Sequence, residues 1–377
     1  MHYDAIVIGC GGMGSAALRA LALKGKRVLG IEQFEPGHDR GSSHGHSRII
    51  RLAYNEHPDY VPLLRRAFEL WSDIEVETGQ RLFVKTGGLD IGPMDGRVVT
   101  GALAACRTHS LAHEWMTGPE IHRRFPGVEV PEHYGAVFHE EAGYLNPEAC
   151  IDAMVASAVG HGAALKVGER LQTLESLSDG WDLCTDRGRY TADQVIVTAG
   201  AWSQFVLPDL ERLAIPERQV VGWFDSLDPS RFSAEQFPVF ILDSPYGEYY
   251  GFPIDEGGRG FKIGRFHHLK EEVDPRKSLA TPDESDEAVL RQAIEGFFPL
   301  AGGKLQRMQT CMFTNSPDGH FIIDRHPDSS HLIVAAGFSG HGFKFACVVG
   351  ELLAALACDP DASPVPLFAW DRFAQQG

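Results

Sequence analysis

The chain has 377 residues, of which 44% are hydrophobic and 23% charged, and its net charge is −17 at pH 7. This length predicts two domains, and the acidic balance argues against nucleic acid as a partner. No apolar run approaches the roughly 20 residues that a membrane span needs, and no basic segment precedes the first apolar stretch as in a signal peptide. We therefore expect no membrane partner and a cytoplasmic location.

The cysteines are Cys10, Cys106, Cys150, Cys184, Cys311, Cys347 and Cys358. Their number is odd and no pair has C-x-x-C spacing, which favours a reducing compartment over a disulfide framework or a zinc site. The histidine pairs His44/His46 and His267/His268 lack a third ligand nearby, so no metal is expected. Most of these cysteines are expected to be inert core residues.

The first elements form a βαβ unit. The pattern predicts a strand over Ala5–Gly9, a helix over about Met13–Lys24 and a strand over Arg27–Glu32. The turn between the first strand and the helix has the sequence Gly9-Cys-Gly-Gly-Met-Gly14, which fits G-x-G-x-x-G.

Each part of this turn has a function in binding a dinucleotide. Gly9 permits the tight turn, Gly11 lets the backbone approach a pyrophosphate, and Gly14 lets helix and strand pack closely. The helix N-terminus offers N–H groups to the phosphates, and the acid Glu32 is placed to bind a ribose hydroxyl. The motif predicts nucleotide binding rather than a purely structural turn, but it does not separate FAD from NAD.

Later elements extend two different sheets. Gln194–Gly200 and His331–Gly337 are predicted as buried parallel strands. The acidic stretch 281–287 is expected to form the N-terminus of a helix. Strands joined by short turns, typical of an antiparallel sheet, are expected at Val220–Asp225, Phe237–Asp243, Glu248–Pro253 and Gly260–Arg265.

The predicted fold class is therefore mixed α/β. A Rossmann-like nucleotide-binding domain would comprise residues 1–83, 141–212 and 317–377. A second, substrate-binding domain, built on an antiparallel or mixed sheet, would comprise residues 84–140 and 213–316.

Several segments in matching order carry a more specific signal. They are Gly41–Tyr54, Tyr249–Pro253, Lys262–Gly264, Thr310–Thr314, Pro317–Asp318, Phe321–Asp324 and Gly337–Phe345. Together they resemble the monomeric sarcosine oxidase and N-methyltryptophan oxidase family over essentially the whole chain. The resemblance implies a monomer with FAD bonded through its 8α-methyl group to Cys311. It also implies oxidation of N-methyl amino acids to imines that hydrolyse, with O₂ reduced to H₂O₂.

The resemblance also implies roles for individual residues. Lys262, Arg48 and His44 would lie at the flavin and act in catalysis, with Lys262 promoting the reaction with O₂, because a fixed cation stabilises negative charge that develops in a dry site. Arg51 and Lys344 would hold the substrate carboxylate through charge-assisted hydrogen bonds, and Tyr250 would line the substrate pocket. The cofactor would contact Gly9, Gly11, Gly12, Met13, Gly14, Glu32, Ser42, Ser43, Arg48, Gly200, Trp202, Cys311, Gly337, Gly340, His341, Gly342, Phe343 and Lys344.

Simpler interpretations of these residues stay open at this point. Arg48 and Arg51, three apart and expected to share a face of a helical turn, could be surface charges paired with Glu56 or Asp59. Lys262 could be a solvated strand residue. Tyr250 could be ordinary core, and Cys311 an inert thiol.

Two positions depart from the family pattern. Phe313 stands where the family has Tyr, and Phe266 stands where it has His four residues after the lysine. Either His267 or His268 fills that role through a shifted loop, or the role is lost. We expect Phe313 and His267 in the substrate pocket, and a more apolar pocket suggests the hypothesis of a larger substrate side chain.

The alternative functions are an FAD-dependent dehydrogenase with another acceptor, an oxidase of cyclic or primary amino acids, and a non-catalytic flavoprotein.

Overall fold

The computed structural model describes residues 1–373. The α-helices in that part are α1 (Gly12–Leu23), α2 (Tyr60–Thr78), α3 (Arg97–His109), α4 (Gly118–Arg124), α5 (Pro147–Gly160), α6 (Ser203–Val206), α7 (Glu284–Phe297) and α8 (Ala346–Cys358). The strands are β1 (His2–Ile8), β2 (Val28–Ile31), β3 (Arg48–Arg51), β4 (Phe83–Lys85), β5 (Gly88–Pro93), β6 (Glu114–Thr117), β7 (Tyr134–His139), β8 (Ala142–Leu145), β9 (Ala164–Lys166), β10 (Leu171–Leu177), β11 (Gly180–Thr185), β12 (Arg189–Val197), β13 (Ile215–Phe224), β14 (Val239–Ser244), β15 (Gly247–Phe252), β16 (Phe261–Arg265), β17 (Leu305–Asn315), β18 (Ile322–His326) and β19 (Ser329–Ala336).

The first sheet is built around the predicted βαβ unit. Its strand order is β10-β11-β12-β1-β2-β9, and β19 joins it by pairing with β12 and β18. The pairs β1–β2, β1–β12 and β12–β19 are parallel, which confirms the two later strands predicted to be parallel and buried. Helices α1, α5 and α8 pack on one face, where Val7, Leu18 and Val349 are fully or almost fully buried.

The second sheet has the order β17-β13-β16-β15-β14-β5-β7-β6. The four strands predicted from the sequence are β13 to β16, and their mutual pairs β13–β16, β14–β15 and β15–β16 are antiparallel. The pair β14–β5 is parallel, so the sheet is mixed. An aromatic core fills one face beneath α7, where the rings of Phe240, Phe261 and Phe298 pack together with centroids 4.5–5.7 Å apart.

The helix expected to begin in the acidic stretch is α7. Asp283 is its N-cap, and its carboxylate accepts hydrogen bonds from the N–H groups of Ser285 and Asp286. Asp286 in turn accepts two hydrogen bonds from Arg218 of β13, at 2.9 and 2.8 Å. This buried ion pair ties the helix to the sheet.

The predicted domain boundaries remain a prediction. Strands of the second sheet come from residues 88–139 and 215–315, and strands of the first sheet from residues 2–31, 164–197 and 322–336. A third, small sheet has the order β3-β8-β4. The last four residues assigned to the nucleotide-binding domain, 374–377, lie outside the described residues.

One local prediction is wrong. Residues 48–51 form strand β3, paired antiparallel with β8, and not a helical turn. The two β-branched residues between the arginines favour a strand. Because side chains alternate along a strand, Arg48 and Arg51 point to opposite faces of it.

None of the helices within residues 1–373 combines the length and apolar character that crossing a bilayer requires.

The contact between α1 and α8 gives a prediction about stability. A Cβ at Gly350 of α8 would lie 2.5 Å from the backbone oxygen of Ala16 in α1, so Gly350→Ala should force the helices apart and destabilise the fold by about 1–3 kcal/mol. Gly296 of α7 is exposed, and a Cβ added there would lie 3.6 Å from the nearest atom, in the side chain of Tyr246. Gly296→Ala should therefore stabilise the protein, by up to about 1 kcal/mol, through helix propensity. Urea unfolding of both variants measures this, and shifts of the same sign would contradict the packing argument.

Candidate active site

A long crevice lies where the glycine turn meets the edge of the first sheet. Its volume is about 1080 Å³. The predicted residues that line it are Gly9, Gly11, Gly12, Met13, Glu32, Ser42, Ser43, Arg48, Gly200, Trp202, Phe313, Gly337, Gly340, Gly342 and Phe343. This size is in the range of a pocket for a large organic ligand.

The glycine turn has the geometry that close approach of a ligand requires. Gly9 has φ +86°, and Thr198 Oγ1 donates to its carbonyl oxygen at 2.6 Å. A Cβ at Gly14 would lie 1.8 Å from that same oxygen, so Gly14 serves packing and does not line the crevice. Gly11 is the N-cap of α1 and has no side chain that could accept a hydrogen bond from the first turn. The N–H groups of the helix N-terminus are therefore available to an anion.

Glu32 is held rigidly at the crevice. Its Oε2 accepts a hydrogen bond from the Cys10 N–H at 2.8 Å, and its Oε1 accepts one from the Phe34 N–H at 2.9 Å. Each carboxylate oxygen keeps capacity for a further bond, as to a ribose hydroxyl. The turn, the helix N-terminus and this acid together fit the adenosine diphosphate part of a dinucleotide.

A second, smaller cavity of about 60 Å³ adjoins the crevice. The two share Arg48, Phe313, Gly340 and Phe343 in their walls. The small cavity brings together ten predicted residues, namely His44, Arg48, Arg51, Tyr250, Cys311, Phe313, Gly340, His341, Phe343 and Lys344. It also contains Ile49, Glu56, Val221, Ile241, Phe252 and Phe266, which the sequence analysis did not assign to the pocket.

Arg51 is buried and surrounded by acceptors. Its Nη1 lies 3.0 Å from Asp90, its Nη2 lies 3.0 Å from Glu56, and it also donates to Asn55 and the Ala53 carbonyl. Burial opposes the positive charge, but the two carboxylates outweigh it and raise the pKa of Arg51 above its usual value. Arg51 is therefore paired with Glu56, as one alternative held, but in the interior and not on the surface.

Lys344 has fewer partners than Arg51. Its Nζ donates to the His341 carbonyl at 2.8 Å and to the Tyr54 hydroxyl at 3.4 Å. The Tyr54 hydroxyl lies 2.7 Å from His341 Nδ1, and His341 Nε2 lies 2.9 Å from the Gly319 carbonyl, so Nε2 carries the proton and Nδ1 accepts. Burial lowers the pKa of Lys344 to about 7, against the opposing charge of Glu56. As an ammonium it keeps one N–H for a further acceptor.

Lys262 lies behind the small cavity and does not line it. It is 2% exposed, and its Nζ donates to Gly45 O at 2.7 Å, Ser47 O at 3.1 Å and Ser47 Oγ at 2.9 Å. The rings of Phe252 and Trp223 lie 4.5 and 5.3 Å away. Burial lowers the pKa of Lys262 well below its usual value, whereas three acceptors match the three hydrogens of the charged form. The interpretation of Lys262 as a solvated strand residue is therefore wrong.

His44 presents a free polar atom to the site. The Gln309 side-chain amide donates to His44 Nδ1 at 2.9 Å, while His44 Nε2 is buried without a partner. Burial, followed by the charge of Arg48, lowers the pKa of His44 to about 3. The imidazole is thus neutral at neutral pH, with its proton on Nε2. Arg48 itself is held by the carbonyl groups of Ser47 and Ser42, at 2.8 and 2.6 Å.

One face of β17 carries three functional positions. Gln309, Cys311 and Phe313 alternate along the strand, so their side chains share a face. Cys311 is a buried free thiol in the wall of the small cavity. Burial raises the pKa of this thiol, while Arg48 and Lys262 oppose that shift.

The structure does not bring His267 to the small cavity. His267 has φ +52°, its side chain is 49% exposed, and its Nδ1 lies 3.1 Å from Glu217. His268 is buried instead against Asp286, at 2.8 Å. Phe266 occupies the cavity wall, with its ring 4.9 Å from Tyr250 and 6.1 Å from Phe313. Neither histidine lines the small cavity, although the His267 ring lies 6.4 Å from that of Phe313 in its wall.

A cluster of possible metal ligands lies elsewhere. Within residues 1–373 it consists of Asp209, His326 and Asp328. His326 Nδ1 accepts the Asp328 N–H at 3.2 Å, and Nε2 lies 3.2 Å from the Asp209 carboxylate. Both ring nitrogens are thus engaged in hydrogen bonds.

Comparison with known proteins agrees with this site. Residues 4–356 match the family described as DAO, FAD dependent oxidoreductase. Monomeric sarcosine oxidase from Bacillus sp. (strain NS-129) is 43% identical over 363 residues, covering 94% of this chain and 93% of that protein. N-methyl-L-tryptophan oxidase from Yersinia pestis (strain Pestoides F) is 35% identical over 377 residues, covering 99% of this chain and 100% of that protein.

A solved structure supports the same conclusion. NikD, an unusual amino acid oxidase essential for nikkomycin biosynthesis, matches in its open form with a TM-score of 0.84 and 25% identity, covering 98% of this chain and 97% of NikD. The predicted mixed α/β fold with a Rossmann-like FAD-binding part is thereby confirmed. The crevice, the glycine turn and these relatives together show that the chain belongs to the family of FAD-dependent oxidoreductases.

Proposed function

We propose that the protein is an oxidase of a small N-methyl amino acid such as sarcosine. The reaction removes two electrons and two protons across a C–N bond, O₂ takes them up as H₂O₂, and water hydrolyses the resulting imine. The observation that carries the proposal is the pair of buried cations, Lys344 and Arg51, in the small and otherwise mostly apolar cavity that also contains Cys311. The names of the relatives at 43% and 35% identity support the same substrate class.

The two cations would together bind one carboxylate of the substrate. Lys344 keeps a free N–H, whereas Arg51 is already bonded to two acids. The two acids differ, because the side chain of Asp90 is 1% exposed and that of Glu56 is 20% exposed. Asp90 would remain with Arg51, and a substrate carboxylate would replace Glu56 beside Lys344 and Arg51.

The aromatic walls determine which substrates fit. Tyr250, Phe252, Phe266 and Phe313 exclude water and leave about 60 Å³ of space. Phenylalanine at positions 266 and 313 presents carbon atoms and no polar side-chain atoms to the cavity, so this part of the wall is apolar. The hypothesis of a larger substrate side chain stays a prediction; we propose a small one instead, because the cavity is small.

FAD, held in the crevice, supplies the two-electron acceptor for this chemistry. The residues around it would each do one task. His44 offers an N–H donor, Arg48 and Lys262 supply positive charge, and the apolar walls keep that charge unscreened by water. Lys262 would stabilise the negative charge that develops when O₂ accepts electrons.

We further propose that Cys311 forms a thioether with the 8α-methyl group of the FAD: the S–H bond and one methyl C–H bond would be lost, and the two electrons would reduce the flavin, which O₂ would reoxidise with release of H₂O₂. The thiol is free, buried and in the wall of the small cavity, and Arg48 and Lys262 favour the thiolate that attachment requires. The names of the relatives also support action as a monomer. The seven free cysteines are compatible with a cytoplasmic location. A dehydrogenase with another acceptor is not favoured, because these relatives are named oxidases.

The substrate proposal is tested by anaerobic bleaching of the flavin band. At equal low concentration, sarcosine should reduce the flavin at least about tenfold faster than N-methyltryptophan, because the small cavity favours a small side chain. Lys344→Met should lower kcat/KM for sarcosine by about 10–100-fold through loss of a charge-assisted bond. Dimethylamine, which has no carboxylate, is the control and should be unaffected by this substitution. A preference for the bulkier substrate would refute the size argument.

The attachment proposal is tested by acid precipitation of the purified holoenzyme. Flavin should stay with the wild-type pellet and be released from Cys311→Ser, because serine cannot form the thioether. Cys106→Ser changes a buried thiol in a separate core cluster and should retain its flavin in the pellet. A yellow pellet from Cys311→Ser would place the attachment elsewhere.

The oxygen proposal predicts a dependence on pH. Burial lowers the pKa of Lys262 from 10.5, and the charged form exists below the folded-state pKa. The rate constant for reoxidation by O₂ should thus be high at low pH and fall as pH rises through a value below 10.5. Lys262→Met should be slower by about 10²–10³-fold without that fall. Stopped-flow measurement of both half-reactions decides the matter, since equal losses in reduction and reoxidation would contradict the role.

A further inference from the structure

Glu148 lines neither cavity, yet it is bonded to the segment beside both. It lies in the first turn of α5, and its Oε1 accepts the Gly45 N–H at 2.7 Å. Both of its carboxylate oxygens lie 3.2 Å from the His46 N–H. The segment that it binds carries His44 on one side and Arg48 on the other.

That segment is strained by its own backbone. Gly45 has φ +94° and His46 has φ +67°, and the left-handed conformation is unfavourable for a residue with a Cβ. The turn therefore needs an external partner to hold it. Charge-assisted hydrogen bonds from two successive N–H groups to one carboxylate provide it.

The same segment provides every hydrogen-bond acceptor of Lys262. The Gly45 carbonyl, the Ser47 carbonyl and the Ser47 hydroxyl lie 2.7–3.1 Å from Nζ. Glu148 binds the N–H side of the turn, and Lys262 binds the carbonyl side. The turn is thus held between a carboxylate and an ammonium.

We propose that Glu148 is a positioning residue for Lys262: by fixing the turn 45–47 it places the acceptors that hold the ammonium group and thereby controls the reaction with O₂. The inference rests on the oxygen role proposed above for Lys262. Glu148 touches neither substrate cavity nor crevice, so its effect must pass through the turn.

Charge supports the same assignment. Burial alone would raise the pKa of Glu148, but hydrogen bonds from backbone N–H groups, including those of Gly45 and His46, and the charge of Arg48 lower it. Glu148 is then an anion that raises the pKa of Lys262, against burial and Arg48. The charged and titratable groups around Lys262, the turn and Glu148 are His44, His46, Arg48, Asp152, Asp255, Arg259, Arg307 and Cys311.

The first test separates the two half-reactions of the holoenzyme. Glu148→Gln should slow reoxidation by about tenfold, which corresponds to about 1.4 kcal/mol. It should also move the fall of that rate to lower pH, and it should leave anaerobic reduction by sarcosine unchanged. Asp152→Asn removes the same charge one turn later on α5, at an exposed side chain, and is the matched control without either effect. In the double variant Glu148→Gln/Lys262→Met, reoxidation should be no slower than in Lys262→Met alone.

The second test does not depend on catalysis. Amide hydrogen exchange of residues 41–48 should accelerate in Glu148→Gln and not in Asp152→Asn, because the Gly45 and His46 N–H groups lose a charged acceptor. If Glu148→Gln does not retain flavin, Glu148→Asp keeps the charge but withdraws it from the turn. That variant should show the same faster exchange with a smaller loss of reoxidation rate.

The possible failures can be told apart. Equal losses in both half-reactions of Lys262→Met would overturn the oxygen role of both residues. A slow reoxidation in Lys262→Met together with unchanged reoxidation and unchanged exchange in Glu148→Gln would overturn only the role of Glu148. A double variant much slower than Lys262→Met would show that Glu148 acts independently of the lysine.

Discussion

The placement of positive charge in a dry interior is the constraint on which this site depends. Lys262, Arg51 and Lys344 are 2–6% exposed in a chain whose net charge is −17. A buried cation is tolerated only with good partners. Each of the three is satisfied differently, and this difference separates their functions.

Arg51 is matched by carboxylates and stays charged at any physiological pH. Lys344 and Lys262 donate their hydrogen bonds chiefly to carbonyl and hydroxyl oxygens. These neutral acceptors stabilise an ammonium group less than a carboxylate would. Their proton affinity is therefore lowered by burial and adjustable by neighbours. In the proposed function, one fixed and one adjustable cation in the cavity wall would bind an acid, and a second adjustable cation behind the wall would favour electron transfer to O₂.

Local sequence patterns predicted those features of the fold that depend on one short segment of the chain. The glycine turn, the acid at Glu32 and the strands from β13 to β16 each follow from residue patterns within a short segment of the chain. The arginine pair was misassigned because its three-residue spacing was given more weight than the β-branched Ile49 and Ile50 between them. That composition was the available signal for a strand.

Contacts between distant segments could not be predicted in this way. Glu56 was considered only as a surface partner, yet the fold brings it beside Arg51 inside the cavity. His267 was expected in the substrate pocket, but it does not line the small cavity and its Nδ1 lies 3.1 Å from Glu217. The partnership of Glu148 with Gly45 joins residues 103 positions apart and leaves no local pattern. Resemblance to a family transfers roles to positions, whereas the partners of those positions depend on the tertiary structure.

Strand β17 couples two properties that are usually considered separately. Cys311, proposed to attach the flavin, and Phe313, in the wall of the small cavity, are two positions apart on this strand. Gln309, two positions before Cys311, donates a hydrogen bond to His44. The strand pairs with β13 in unbroken register from Ile215 to Trp223. A change that slides or tilts β17 would therefore move all three together. Cofactor orientation and substrate preference are consequently expected to evolve jointly in this protein, through the strand, and not residue by residue.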